Sequence, residues 1–108
     1  AYDSVECKYG DAVVVINASR PVISIGRGPE NDLVVDKDLV SRQHLSAQFR
    51  RGRFTITDNS TNGSVVINED GSRVDLKRES SKLLGAGVII PGHPEKEELE
   101  FAINFRCE

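Results

Sequence analysis

What most restricts the fold of this sequence is its punctuation: short apolar runs alternate with Gly, Pro, Asn and Asp along the chain, and none sustains a helical period. Val5, Cys7 and Tyr9 alternate with polar residues, which predicts a strand over Tyr2 to Tyr9. Gly10-Asp11 then turns the chain into the apolar run Val13 to Ile16, expected to be buried on both faces. Asn17 to Pro21 is a second turn, Val22 to Ile25 a strand, and Gly28-Pro29 prevents its continuation. Leu33 to Val35 makes a strand only about 10 Å long at ordinary strand rise, so the loops on its two sides can face one ligand. Leu45, Ala47 and Phe49, the turn Arg50 to Arg53, and Phe54 with Ile56 form a hairpin, which places Asp58 to Gly63 beside Ser41 and Arg42. Val65 to Ile67 and Val74 to Leu76 flank Asp70-Gly71 in a second hairpin pattern. Lys77 to Ser81 reads as a loop or a helical turn, Leu83-Leu84 and Val88 to Ile90 as strands separated by glycines, and Pro91 to Glu98 as a polar loop. Leu99, Phe101, Ile103, Phe105 and Cys107 then alternate with Glu100, Ala102, Asn104 and Arg106 in a half-buried final strand. Many short strands and no long helix predict an all-β fold, a two-sheet antiparallel β-sandwich with binding loops at one end.

A sandwich of roughly 100 residues buries a core without added staples, so residues 1–108 are read as a single domain. Because the sequence opens at Ala1 and not at methionine, it is expected to be excised from a longer protein. No apolar run is long enough to cross a bilayer and no signal peptide is visible, so the expected location is cytoplasmic, with no membrane as partner. A net charge of −3 argues against nucleic acid, whose binding draws on neutralising many phosphates. The charge is unevenly placed. Between Arg20 and Arg53 seven basic residues face four acidic ones, while from Glu95 to Glu108 five acidic residues face two basic ones. A basic centre in an acidic chain suits one small anionic ligand better than a long polyanion.

That centre contains three polar loops rich in hydrogen-bond donors. The first holds Arg27 just past Gly26, the second Ser41, Arg42 and His44, and the third Thr61, Asn62 and Gly63. Guanidinium forks match phosphate oxygens better than an ammonium does. Ser41 and Thr61 add hydroxyl donors, and the Asn62 amide both donates and accepts. Gly26 and Gly63 stand where a loop needs tight or positive-φ backbone. Asn62-Gly63 taken alone also fits an ordinary hairpin turn.

The strings Gly26-Arg27, Ser41-Arg42-Gln43-His44 and Ser60-Thr61-Asn62-Gly63-Ser64, in this order and spacing between strand-like runs, resemble the forkhead-associated (FHA) domain. The resemblance continues through most of the chain, including the Gly85-Ala86-Gly87 turn. Ile89-Ile90-Pro91-Gly92-His93-Pro94 more weakly resembles FHA domains attached to bacterial nucleotide cyclases. It implies a β-sandwich that binds phosphothreonine peptides in signalling or regulated assembly. Arg27 and Ser41 then match phosphate-binding positions, and Arg42 stands where relatives carry a phosphate-binding lysine, arginine or asparagine. Asn62 matches the residue that grips the peptide backbone, Thr61 a position that assists, and His44 one that braces the loops without touching phosphate. Ser64 departs from a frequent threonine.

Two other readings compete. Ser41 and His44 with Asp36 or Asp38 could be imagined as a catalytic set, but no G-x-S-x-G elbow is present, so no enzyme is expected. A phosphate-independent module, docking on another domain of the parent protein or on a second copy, would keep the sandwich and leave the loops idle. Cys7 and Cys107 could pair if the end strands are neighbours, although two free thiols are expected in a reducing compartment. With only His44 and His93 besides, no zinc spacing appears, and neither a metal nor a cofactor is expected.

Overall fold

Alternation of apolar and polar residues over short runs produces eleven strands in the structure, a computed structural model that describes residues 2–93 and 102–108. They are β1 (Ser4–Tyr9), β2 (Ala12–Asn17), β3 (Val22–Gly26), β4 (Leu33–Val34), β5 (Leu45–Arg50), β6 (Arg53–Asp58), β7 (Ser64–Asn68), β8 (Arg73–Leu76), β9 (Ser80–Lys82), β10 (Ala86–Pro91) and β11 (Ile103–Cys107). The described residues contain no α-helix, and so none long and apolar enough to cross a membrane. One sheet has the order β2-β1-β11-β10-β7-β8 and the other β4-β3-β5-β6-β9, which is the expected two-sheet sandwich. Pairing is antiparallel except between β3 and β4.

The core lies between the sheets. Val5, Cys7, Ile16, Val66, Ile89, Ile103 and Phe105 enter it from the six-stranded sheet, and Ile23, Ile25, Leu33, Leu45, Ala47, Phe54 and Ile56 from the five-stranded one. Burying each such aliphatic side chain stabilises the fold by about 1.5–3 kcal/mol, opposed by the entropy of ordering the chain. Cys7 and Cys107 lie on the neighbouring strands β1 and β11, two positions out of register, and both are buried free thiols. Burial, with Cys107 and Glu6 nearby, pushes the Cys7 thiol up to about 12, so it is a packing group and not a nucleophile.

Three expectations are corrected. The run Val13 to Ile16 is not buried on both faces: β2 is an edge strand, and Val13 and Val15 remain 48% and 36% exposed while Val14 and Ile16 point inward. Lys77 to Ser81 is neither wholly loop nor helical turn, because its end joins β9, which pairs with the edge of β6. Leu83-Leu84 forms no strand. Leu83 is sealed in the core just past β9, where its N–H donates to the Phe54 carbonyl, and Leu84 is 63% exposed. Pro94 and the Leu99 and Phe101 positions of the final strand fall outside the described residues, as does most of the Pro91 to Glu98 loop; Pro91 itself ends β10.

The register sets the binding end. Ile25 faces Leu45, and Leu45 faces Asp58, so β3 delivers the first loop where β5 leaves the second and β6 enters the third. Residues 59–63 then cross from the five-stranded sheet to β7 in the six-stranded one.

Candidate functional site

The first and second loops are tied by backbone before any side chain acts. Arg27 N–H donates to the Ser41 carbonyl at 3.0 Å, Gly28 N–H to the Arg42 carbonyl at 3.1 Å, and His44 N–H to the Ile25 carbonyl at 2.9 Å. This approach is close enough that a Cβ on Gly26 would overlap the Arg42 carbonyl oxygen. Asn31, buried beneath the first loop, donates its amide to the Gly28 carbonyl at 2.8 Å and to the Arg42 carbonyl at 2.7 Å. The Arg42 carbonyl therefore accepts from two points of the neighbouring loop.

The second and third loops are tied through a buried polar cluster. Ser41 N–H donates to His44 Nδ1 at 2.9 Å, so Nδ1 is an acceptor and the proton sits on Nε2. That Nε2–H faces the Gly63 carbonyl and the Ser64 hydroxyl, both at 2.9 Å. The Ser64 hydroxyl donates a hydrogen bond to Asp58 at 2.6 Å, and Asp58 also accepts from the Ser60 N–H and hydroxyl and from Arg78 N–H. His44, Asp58, Ser60 and Ser64 are all fully buried. Burial lowers the His44 pKa against the opposing pull of the Gly63 carbonyl and the Asp58 charge, so the ring is neutral at pH 7. The 3.5 Å approach of His44 to Asp58 is thus a contact of a neutral ring with a carboxylate and not an ion pair. For Asp58 burial alone would raise the pKa, but the Ser64, Ser60 and Arg78 donors outweigh it and the net direction is down.

Outside this braced layer lie the groups with capacity to spare. Arg27 is exposed and uses Nε to donate to the Val40 carbonyl at 3.1 Å, which fixes the guanidinium while its two terminal nitrogens have no acceptor among the described residues. Ser41 Oγ accepts from Thr61 N–H at 3.2 Å, and its own proton has no acceptor there. Asn62 Nδ2 donates to the Leu39 carbonyl at 2.9 Å, leaving its Oδ1 to accept. Thr61 and Asn62 are exposed, whereas Gly63 is buried, with positive φ and a carbonyl that also accepts from Gly92 N–H at 2.9 Å. All five polar residues singled out from the sequence, Arg27, Ser41, Arg42, Thr61 and Asn62, therefore stand on cross-linked loops at one end of the sandwich. The two arginines differ in charge environment. No carboxylate pairs with Arg27 among the described residues, while Arg42 Nε meets Glu30 Oε2 at 3.2 Å.

The arrangement offers donors suited to an anion and does not build a nucleophile. Both His44 nitrogens are committed, Nδ1 to a backbone N–H and Nε2 to Gly63 and Ser64, so neither is available to take the Ser41 hydroxyl proton. Among the described residues no three His, Cys, Asp or Glu side chains are placed to hold a metal. Sequence reasoning overlooked Asn31, Asp58, Ser60 and Glu30. Asp58-Asn59-Ser60 carried a usable signal, since an aspartate accepting from the N–H two residues on is a turn pattern, seen here at 2.8 Å. Nothing local marks Glu30, whose partner lies twelve positions away in the second loop, and the Gly28 contact of Asn31 gives no hint of its second partner, eleven positions away.

A family model for the FHA domain matches residues 23–90. Among solved structures the chain is similar to FHA-1 of Mycobacterium tuberculosis Rv1747, at 25% identity over 99% of this chain and 98% of that one, with a TM-score of 0.72. It is similar at 25% identity, over 97% of each chain and with a TM-score of 0.70, to a structure from work on phosphothreonine-dependent FHA domain interactions. The MEK1 FHA domain in complex with a phosphothreonine peptide of HOP1 shares the fold, with a TM-score of 0.73 and 19% identity over 98% of both chains. No curated protein matches.

Proposed function

The chain belongs to the FHA family, and from that premise we propose that it is a non-catalytic module that binds phosphothreonine in a protein partner, for signalling or regulated assembly. The observation that carries this reading is a set of spare donors on two loops joined by backbone: the two terminal nitrogens of Arg27 and the Ser41 hydroxyl proton, none with an acceptor among the described residues. Arg27 and Ser41 take the phosphate oxygens, Arg42 adds a second guanidinium, and Asn62 with Thr61 holds the peptide backbone. Gly26, His44 and Gly63 keep the loops in place. The solved structures of phosphothreonine-dependent FHA interactions support the ligand class.

Hydrogen bonds to a charged group are worth roughly 1.5–3 kcal/mol each, and ordering a flexible peptide costs about 2–5 kcal/mol, so moderate affinity is expected. Calorimetry on one peptide with and without phosphate on its threonine tests the reading. The phosphorylated form binds, the plain form does not, and Arg27→Ala abolishes binding while the thermal midpoint holds. Equal affinity for both forms would instead favour a phosphate-independent docking module. The remaining parts of the proposal are an intracellular location, a role as one domain of a longer protein, and attachment to a bacterial nucleotide cyclase. They rest on the resemblance of the three loop motifs and of the 89–94 run, and localisation and pull-down of the full parent protein test them.

A further inference from the structure

Among the described residues Glu30 is the one carboxylate paired with a guanidinium of the candidate site. It sits between two residues bound to the Arg42 carbonyl: Gly28 N–H donates there at 3.1 Å and the Asn31 amide at 2.7 Å. The turn carrying Glu30 is therefore pinned against the turn carrying Arg42, and the carboxylate stays within reach of that turn when its partner is taken. It also folds back over Gly28 so closely that a Cβ on that glycine would collide with it. Glu30 is 41% exposed and Arg42 69%, so water screens their attraction and the pair can be exchanged for a stronger anion.

We propose that Glu30 is an internal competitor for Arg42 and, once displaced, the group that makes this site select phosphothreonine peptides with a basic residue beside the phosphothreonine over those with an acidic one. The inference rests on the phosphothreonine reading of the site. A phosphate carries about 1.5 to 2 negative charges at neutral pH and outcompetes a single carboxylate for the guanidinium. The pinned Glu30 is then left unpaired next to a second anion. A lysine or arginine side chain of the peptide relieves that repulsion; a glutamate or aspartate adds to it. Among the described residues Arg27 has no such neighbour, so the choice is exerted at Arg42.

The test uses three phosphothreonine peptides that differ only in carrying Lys, Ala or Glu on both sides of the phosphorylated residue, titrated into the wild-type chain and Glu30→Gln by calorimetry. The wild type is expected to bind the Lys-flanked peptide roughly tenfold more tightly than the Glu-flanked one, a gap set by one nearby charge in partly screened surroundings. E30Q is expected to bind the Ala-flanked peptide about threefold more tightly than wild type, the size of an exposed ion pair, and to shrink the Lys-to-Glu gap to about twofold. Unchanged affinity and an unchanged gap in E30Q overturn the inference. A gain in affinity with an unchanged gap overturns its selective half. Failure of the wild type to bind any of the three peptides is a different result, since it removes the phosphothreonine reading itself and this inference with it.

Discussion

At the end of the sandwich that carries Arg27 and Ser41, a side chain on Gly26 would overlap the Arg42 carbonyl, whereas at the far end a side chain on Gly52 would meet nothing within 4 Å. The first glycine makes room for a neighbouring loop. The second makes a turn possible: Arg51 and Gly52, with φ of 55° and 74°, occupy the two central positions of a tight hairpin between β5 and β6 that demands left-handed backbone at both. The same contrast runs through the polar groups. The binding end adds to its local turns partners distant in sequence, His44 to Ser64 and Asn31 to Arg42, while the side-chain contacts of the β7–β8 turn at the far end, Asp70 to Ser72, are between neighbours. One end is specified by tertiary packing and the other by local turn chemistry.

Three substitutions or conditions can break that contrast. The largest effect is expected from Gly26→Ala, where the obstructing atom is backbone; overpacking of this kind costs about 3 kcal/mol, and the phosphopeptide site is lost with it. Urea denaturation showing an unchanged midpoint would erase the distinction between the two ends. An intermediate effect is expected on acidification. His44 has its folded pKa lowered below the ordinary 6.5, so its contribution to stability is complete above that value and is lost as pH falls through the folded value. Asp58, lowered from 3.8, acts in the same sense further down. Protonating His44 adds a hydrogen to Nδ1, where the Ser41 N–H already points. Amide hydrogen exchange at pH 7 and pH 5 should therefore show Ser41 and Thr61 losing protection before the β5–β6 turn does, and uniform loss would count against this. The smallest effect is expected from Gly52→Ala, about 1 kcal/mol for left-handed backbone in an alanine, with the dissociation constant for a phosphopeptide unchanged. A weakened dissociation constant there would mean the ends are coupled.

Much of this was legible in the residues because the far end and the strands obey local rules. Alternation located most of the strands, Asp70-Gly71 marked its hairpin, and the three loops are brought together by the register of β3, β5 and β6. Failures occurred where neighbours in space decide. The Val13 to Ile16 run carries the apolar pattern of a two-face strand, yet its place at a sheet edge leaves Val13 and Val15 outside. Ser80 to Lys82 has no strand signature of its own and is recruited by the open edge of β6. In the site, exposed donors were recognisable by residue type and the Asp58–Ser60 turn carried a local signal, but the contacts of Asn31 with Arg42, Asp58 with Ser64 and Glu30 with Arg42 are ones that no spacing encodes.

The segment from Asp58 to Ser64 is also where the chain passes from one layer of the sandwich to the other. On the proposed reading, a peptide held by Thr61 and Asn62 on that passage binds only while the two layers are joined, so its binding stabilises the folded sandwich by mass action.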